Sequence, residues 1–129
     1  MIEHKRILTV DDDARVLLIM RATLENLQHG TVVATAENGK EALAKIKEEP
    51  FDLVITDVRM PGLSGVELVE AIRELGTHTA VIWITAYGCA NLEADRERLD
   101  VSFCLEKPLR IGEIRQAALE ALEIPSKDL

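Results

Sequence analysis

Five times along this chain a short apolar run gives way to a longer stretch with apolar residues at helical spacing, and this alternation restricts the fold more than any other feature. Ile7-Leu8-Thr9-Val10 is the first run, and it ends in three aspartates. Val16, Ile19, Met20, Thr23, Leu24 and Leu27 then follow a helical period, with Gly30 closing the segment. Thr31 to Ala36 reads as a second strand with Asn38-Gly39 as its turn, and a helix through Ala42, Leu43 and Ile46 is stopped by Pro50. Leu53-Val54-Ile55-Thr56 is a third strand running into Asp57. Beyond a loop from Gly62 to Gly65, the residues Leu68, Val69, Ile72 and Leu75 mark another helix. Ala80-Val81-Ile82-Trp83-Ile84 is an apolar fourth strand ending at Thr85, and Phe103-Cys104-Leu105 is a short fifth before Glu106 and Lys107. Ile111, Ile114, Ala118, Ala121 and Leu122 give a final amphipathic helix. The segment from Asn91 to Leu99 is mostly charged, with only Leu92 and Leu99 as anchors, so it is expected to be the loosest element.

Strands alternating with helices imply right-handed crossovers and a parallel sheet covered on both faces. The expected fold is therefore α/β: a five-stranded parallel sheet in the order 2-1-3-4-5, doubly wound with five helices in the flavodoxin-like manner. In such sheets ligands bind outside the carboxyl ends of the strands, where the strand order switches.

That rule selects a small group of residues. The first strand delivers Asp11 and Asp12 to its carboxyl end, the third Asp57, the fourth Thr85 and the fifth Lys107. Bunched carboxylates raise one another's pKa unless a cation sits among them. Mg²⁺ suits the group, because it takes hard oxygen ligands and completes its octahedron with water and phosphate, whereas Ca²⁺ wants more protein ligands. A carboxylate, a hard cation, a hydroxyl and a lysine together suit phosphoryl transfer onto the carboxylate. No glycine-rich phosphate cradle is present, which argues against a nucleotide substrate and for a phosphoprotein or small acyl phosphate as donor. Asp13 reads as the N-cap of the first helix, and Met60-Pro61-Gly62 and Gly65 read as turn chemistry.

Composition narrows the classes further. With 129 residues, 47% hydrophobic and 29% charged, one aliphatic-cored domain is expected, its core spanning about 5–122 with 123–129 as a tail or the start of a linker. The net charge of −8 argues against direct nucleic-acid binding. No apolar run approaches a membrane span and the N-terminus lacks a signal-peptide core, so a cytoplasmic location is expected. Cys89 and Cys104 read as two free thiols, and His4, His29 and His78 as surface histidines.

The stretches Ile7 to Asp13, Asp57-Val58-Arg59-Met60-Pro61-Gly62, Ile84-Thr85-Ala86-Tyr87-Gly88 and Leu105-Glu106-Lys107-Pro108-Leu109 resemble response-regulator receiver domains, in that family's order and at its spacing. The resemblance covers about Lys5 to Leu122. It implies Asp57 as phosphoacceptor, Asp12 as a direct Mg²⁺ ligand, Asp11 as a ligand directly or through water, and the backbone carbonyl of Arg59 as another. It implies that Thr85 and Lys107 bind the phosphoryl oxygens, that the Lys107-Pro108 bond is cis, and that Arg59 and Tyr87 flank the path of the hydrolytic water. A histidine kinase or phosphotransfer protein is the implied partner, with a homodimer through the fourth helix, fifth strand and fifth helix as a further expectation. Such a domain is a signalling phosphoacceptor rather than an enzyme.

This chain departs from the family pattern at two positions. Cys104 stands where the family usually has Tyr or Phe, and Phe103 beside it should face the other way. Asp100 stands where many relatives have glycine. Two other readings compete: a degenerate receiver that binds partners without phosphorylation, and a haloacid-dehalogenase-like phosphatase. The second wants a carboxylate where Arg59 stands.

Overall fold

A computed structural model describes residues 4–28 and 30–123. The strands are β1 (Arg6–Val10), β2 (Val32–Ala36), β3 (Leu53–Asp57), β4 (Ala80–Thr85) and β5 (Phe103–Glu106). The helices are α1 (Ala14–Leu24), α2 (Gly39–Glu48), α3 (Gly65–Glu74), α4 (Glu93–Leu99) and α5 (Ile111–Ala121), and a 3₁₀ turn, Ala90–Leu92, leads into α4. All pairings are parallel and the order is β2-β1-β3-β4-β5, as expected from the alternation.

The strands read as continuous apolar runs because both faces of the sheet are covered. Ile7, Ile55, Ile82 and Ile84 pack with Met20 and Leu24 of α1 and Ile114 and Ala118 of α5. Leu8, Val10 and Val54 face the other way, onto Ala42 and Ile46 of α2 and Leu68 and Ile72 of α3. A smaller cluster holds Val81 and Trp83 against Val69, Leu99 and Val101. Each fully buried aliphatic side chain contributes about 1.5–3 kcal/mol, so the central strands are the best-anchored part of the molecule.

Several local expectations change. Asn38-Gly39 is not a strand turn: Asn38 caps α2, its side chain accepting the Glu41 N–H at 2.7 Å, and Gly39 is the first helical residue. The chain next enters β3, which lies parallel on the far side of β1 and is out of reach of a tight hairpin, so the polar pair starts the crossover helix instead. The first helix ends at Leu24, well before Gly30, which takes a left-handed φ of +86°. Asp13 does cap α1, accepting the Arg15 N–H at 2.9 Å.

The α4 segment is as weakly packed as its sequence indicates. Leu99 is its one buried residue, with Leu92 half-buried beside it. Arg73 of α3 supports it, donating to the carbonyls of Leu99 (2.9 Å), Asp100 (3.2 Å) and Thr79 (2.8 Å). Asp100 is the C-cap of α4 with φ +56°, left-handed backbone that favours glycine but that aspartate also visits. His4 and His78 are exposed as expected, while His29 and the tail 124–129 lie outside the described residues.

The two cysteines are the main correction. They are not free thiols: Cys89, ahead of the 3₁₀ turn, and Cys104, on β5, form a disulfide with their Cα atoms 6.0 Å apart. Their separation of 15 residues carried no sign of this. Pairing β4 with β5 brings the loop after β4 beside the fifth strand.

Candidate phosphoacceptor site

The parallel register places the ends of β1, β3, β4 and β5 on one rim. Asp11 follows the last residue of β1, and Val10 pairs with Thr56, the residue before Asp57. The carboxylate oxygens of Asp11, Asp12 and Asp57 come within 4.8 Å of one another, with Asp11 fully buried, Asp57 5% exposed and Asp12 open to solvent. Lys107 reaches in from the end of β5, its Nζ donating to Asp57 Oδ2 at 3.2 Å and lying 3.3 Å from Asp11 Oδ2. The Lys107-Pro108 peptide is cis, as the resemblance implied.

Asp11 is held by one oxygen and left open at the other. Its Oδ1 accepts the Asp13 N–H at 2.8 Å, while its buried Oδ2 accepts no hydrogen bond. The ammonium of Lys107 is its ion-pair partner. A buried carboxylate oxygen without a hydrogen bond is costly. Burial pushes the Asp11 carboxyl above its ordinary pKa, and the Asp57 charge adds to this, against the bond from Asp13 and the pull of Lys107. For Lys107, burial works against the charge, but Asp11 and Asp57 more than offset it and raise its pKa. Three carboxylates against one ammonium leave an excess of two negative charges when all are ionised. Oxygen donors, an orphaned lone pair and that excess fit a hard divalent cation.

Thr85 ends β4 at 2% exposure, and its Oγ1 accepts the Tyr87 N–H at 3.0 Å. Tyr87 is 68% exposed, and its ring lies under the Arg59 guanidinium at 4.4 Å, so the two side chains join across the mouth of the site. The face assignment on β5 holds as well: Phe103 packs toward α5, and Cys104 toward Trp83, Leu99 and Val101.

Two supporting residues escaped the sequence reading in their roles. Gly65 is more than turn chemistry: a Cβ there would stand 2.5 Å from the Asp57 carbonyl oxygen, so only glycine lets α3 start this close to β3. Trp83 is fully buried and donates from Nε1 to the Gly65 carbonyl at 3.3 Å, tying β4 to the same point. No periodicity encodes either contact. A glycine at the start of a helix after a strand-end aspartate is the one local hint.

Acidic residues and a lysine at the switch point of a doubly wound sheet define a class of phosphoryl- or cation-handling α/β domain. The response regulator receiver domain family matches residues 7–119, and the chain belongs to it. A sensor histidine kinase, GacS of Pseudomonas protegens, is 36% identical over 89% of this chain, and the response regulator PilR of Pseudomonas aeruginosa 33% over 94%. The chain spans 13% of the first and 27% of the second. Sporulation initiation phosphotransferase F of Bacillus subtilis is 29% identical over 95% of this chain and 98% of its own length. A CheY-like receiver domain from Methanospirillum hungatei superposes with a TM-score of 0.85 at 30% identity, over 94% of this chain and 95% of the other.

Proposed function

We propose that Asp57 accepts a phosphoryl group from the phosphohistidine of a histidine kinase or phosphotransfer protein, with Mg²⁺ bound by Asp11, Asp12, Asp57 and the backbone carbonyl of Arg59. The observation that carries this reading is Lys107 Nζ set between Asp57 Oδ2 and the buried Asp11 Oδ2, which has this ion pair but no hydrogen bond. An Asp57 carboxylate oxygen attacks phosphorus, the P–N bond to the donor imidazole breaks, and its electron pair stays on the departing nitrogen. Lys107 is placed to meet a phosphoryl oxygen on one side, and Thr85 to meet another once its hydroxyl turns from the Tyr87 amide. Bound Mg²⁺ supplies charge neutralisation for the transferring oxygens. Water then hydrolyses the acyl phosphate, so the group is a signal of limited lifetime rather than one turnover of an enzyme.

The phosphoryl group acts by shifting a population. Moving an equilibrium from 1:99 to 99:1 takes about 5.5 kcal/mol of differential stabilisation, and hydrogen bonds to charged groups supply roughly 1.5–3 kcal/mol each. Thr85 and Lys107 together come near that requirement. The segment best able to respond is the loop after Thr85 with α4. A change there would alter the face formed by α4, β5 and α5, where β5 is one of the two edges of the sheet, and a second copy of the chain would pair on it. Residues 5–122 would act as one domain of a cytoplasmic signalling protein. The acidic surface opposes direct contact with nucleic acid, and no described helix is long and apolar enough to cross a membrane. The phosphatase alternative gains no support, since Arg59 stacks on Tyr87 where that chemistry needs a second acid.

Intact-mass measurement after treatment with acetyl phosphate and Mg²⁺ tests the assignment. One phosphoryl adduct is expected on the parent, none without Mg²⁺ and none on Asp57→Asn. No adduct on the parent, or an undiminished one on the variant, rejects it.

A further inference from the structure

We propose that the Cys89–Cys104 disulfide is a reversible redox latch that sets how readily the phosphoryl site can switch. The proposal rests on the receiver reading and adds a second input to it. Three observations carry it.

First, the bond joins the two segments that flank the responding region. Cys89 lies in the loop that leaves Thr85, and Cys104 pairs in register with Trp83 on β5. The covalent ring from Cys89 to Cys104 encloses the 3₁₀ turn and all of α4, the helix with one buried residue. Second, the loop is fastened at further points on β5 and its end. The Cys89 N–H donates to Glu106 Oε2 at 3.1 Å, and the Lys107 N–H to the Thr85 carbonyl at 2.8 Å. With the latch closed, Thr85 Oγ1 is engaged by the Tyr87 amide, so turning it to Asp57 requires the fastened loop to move. Third, Cys104 packs inward on β5 beside Trp83, Leu99 and Val101, so the cross-link ties the loop to the strand position that backs the end of α4. In a reducing compartment a disulfide that persists in every condition is unusual, and one that opens and closes is the common case.

The chemistry is thiol–disulfide exchange. A thiolate of a protein dithiol attacks one of the two sulfurs, the S–S bond breaks, and its electron pair goes to the other sulfur, which takes up a proton. The second thiol of the reductant resolves the mixed disulfide, leaving two cysteine thiols here and one disulfide in the reductant. Closure by a peroxide oxidises one thiol to a sulfenic acid with release of water. The other thiol then displaces a second water to form the S–S bond.

A closed latch opposes the rearrangement, so the reduced protein binds a phosphoryl mimic more tightly. The probe is fluoroberyllate with Mg²⁺, titrated against oxidised and dithiothreitol-reduced protein with Trp83 fluorescence as readout. The redox state is verified by the mass gained on alkylation. The midpoint should fall by at least about fivefold on reduction, the lower end of ordinary coupling between sites. Cys89→Ser and Cys89→Ser/Cys104→Ser should bind like the reduced parent under both conditions. Linkage requires fluoroberyllate to favour reduction of the disulfide by the same factor. Equal midpoints in the two redox states, or two alkylated thiols after peroxide treatment, overturn the latch while leaving the receiver reading intact. Absence of binding in both states, with Asp57→Asn indistinguishable from the parent, overturns both.

Discussion

At the carboxyl ends of β1 and β3 the acidic residues stand on strands buried on both faces, with Leu8, Val10, Leu53 and Val54 fully inaccessible to solvent. On the other flank, α4 has Leu99 as its one buried residue and is held by Arg73, surface ion pairs from Arg98 and the covalent ring through Cys89 and Cys104. The first region is fixed by apolar burial, which is strong and has no alternative arrangement close in energy. The second is fixed by a few directional bonds, each worth about a kilocalorie or so, plus one cross-link. Phosphoryl chemistry needs groups that stay in place, and a response needs a segment whose two positions differ little in free energy. The molecule separates these demands between its two flanks.

The largest effects should come from treating the two regions alike. Ile82→Ala, at a fully buried position of β4, is expected to cost about 2–5 kcal/mol and to be read as a drop in the urea midpoint of the whole domain. Arg73→Met removes four bonds to backbone carbonyls, those of Thr77, Thr79, Leu99 and Asp100, but its effect should appear mainly as faster hydrogen exchange over 90–102 with a smaller global loss. If Arg73→Met lowers exchange protection in β1 and β3 as much as in α4, the two flanks are not independent.

A smaller effect tests the electrostatics of the rim. The pKa of Asp11 is raised in the folded chain, so folding is disfavoured by ionising it: this group's stabilising contribution is greatest below its unfolded value of 3.8 and is lost as pH rises through the folded value. Lys107 has the opposite consequence, contributing stability below its unfolded value of 10.5 that is lost as pH rises through the elevated folded one. In metal-free buffer at pH 7, Asp11→Asn should therefore raise Tm by a few degrees, while addition of Mg²⁺ should raise Tm for the parent and much less for the variant. Thermal melts with and without Mg²⁺ decide this, and a lower Tm for Asp11→Asn in metal-free buffer would contradict the account of the site.

The smallest change is expected at the mouth of the site. An exposed cation–π contact such as Arg59 on Tyr87 contributes about 0.5–1 kcal/mol, which corresponds to a few-fold change in rate. Tyr87→Ala should alter the decay of the phosphorylated protein by that factor while leaving its rate of phosphorylation by acetyl phosphate nearly unchanged. Equal changes in both rates would remove Tyr87 from the control of lifetime.

The fold and most of the site were legible in the sequence because their signals are local. Short continuous apolar runs and helical stretches at period 3.6 mark elements without reference to anything distant. Right-handed crossovers then force the strand ends onto one rim, so Asp11, Asp12, Asp57, Thr85 and Lys107 could be grouped before any distance was known. The weak α4 was legible from the same pattern, by its lack of apolar positions beyond Leu92 and Leu99.

Tertiary structure decided what depends on register between distant segments. Arg73 reaches the end of α4 across 26 residues of sequence, Gly65 meets the Asp57 carbonyl, and Cys89 meets Cys104 only because β5 lies beside β4. Asn38-Gly39 was misread for a related reason: a polar pair after a strand serves equally as a hairpin turn or a helix cap, and only the parallel placement of the next strand selects the cap. The sequence thus set which groups gather on the rim, through patterns each segment holds on its own. The pairing of β4 with β5 set how the loop after Thr85 is restrained, because a contact between remote residues is fixed by the sheet that brings them together.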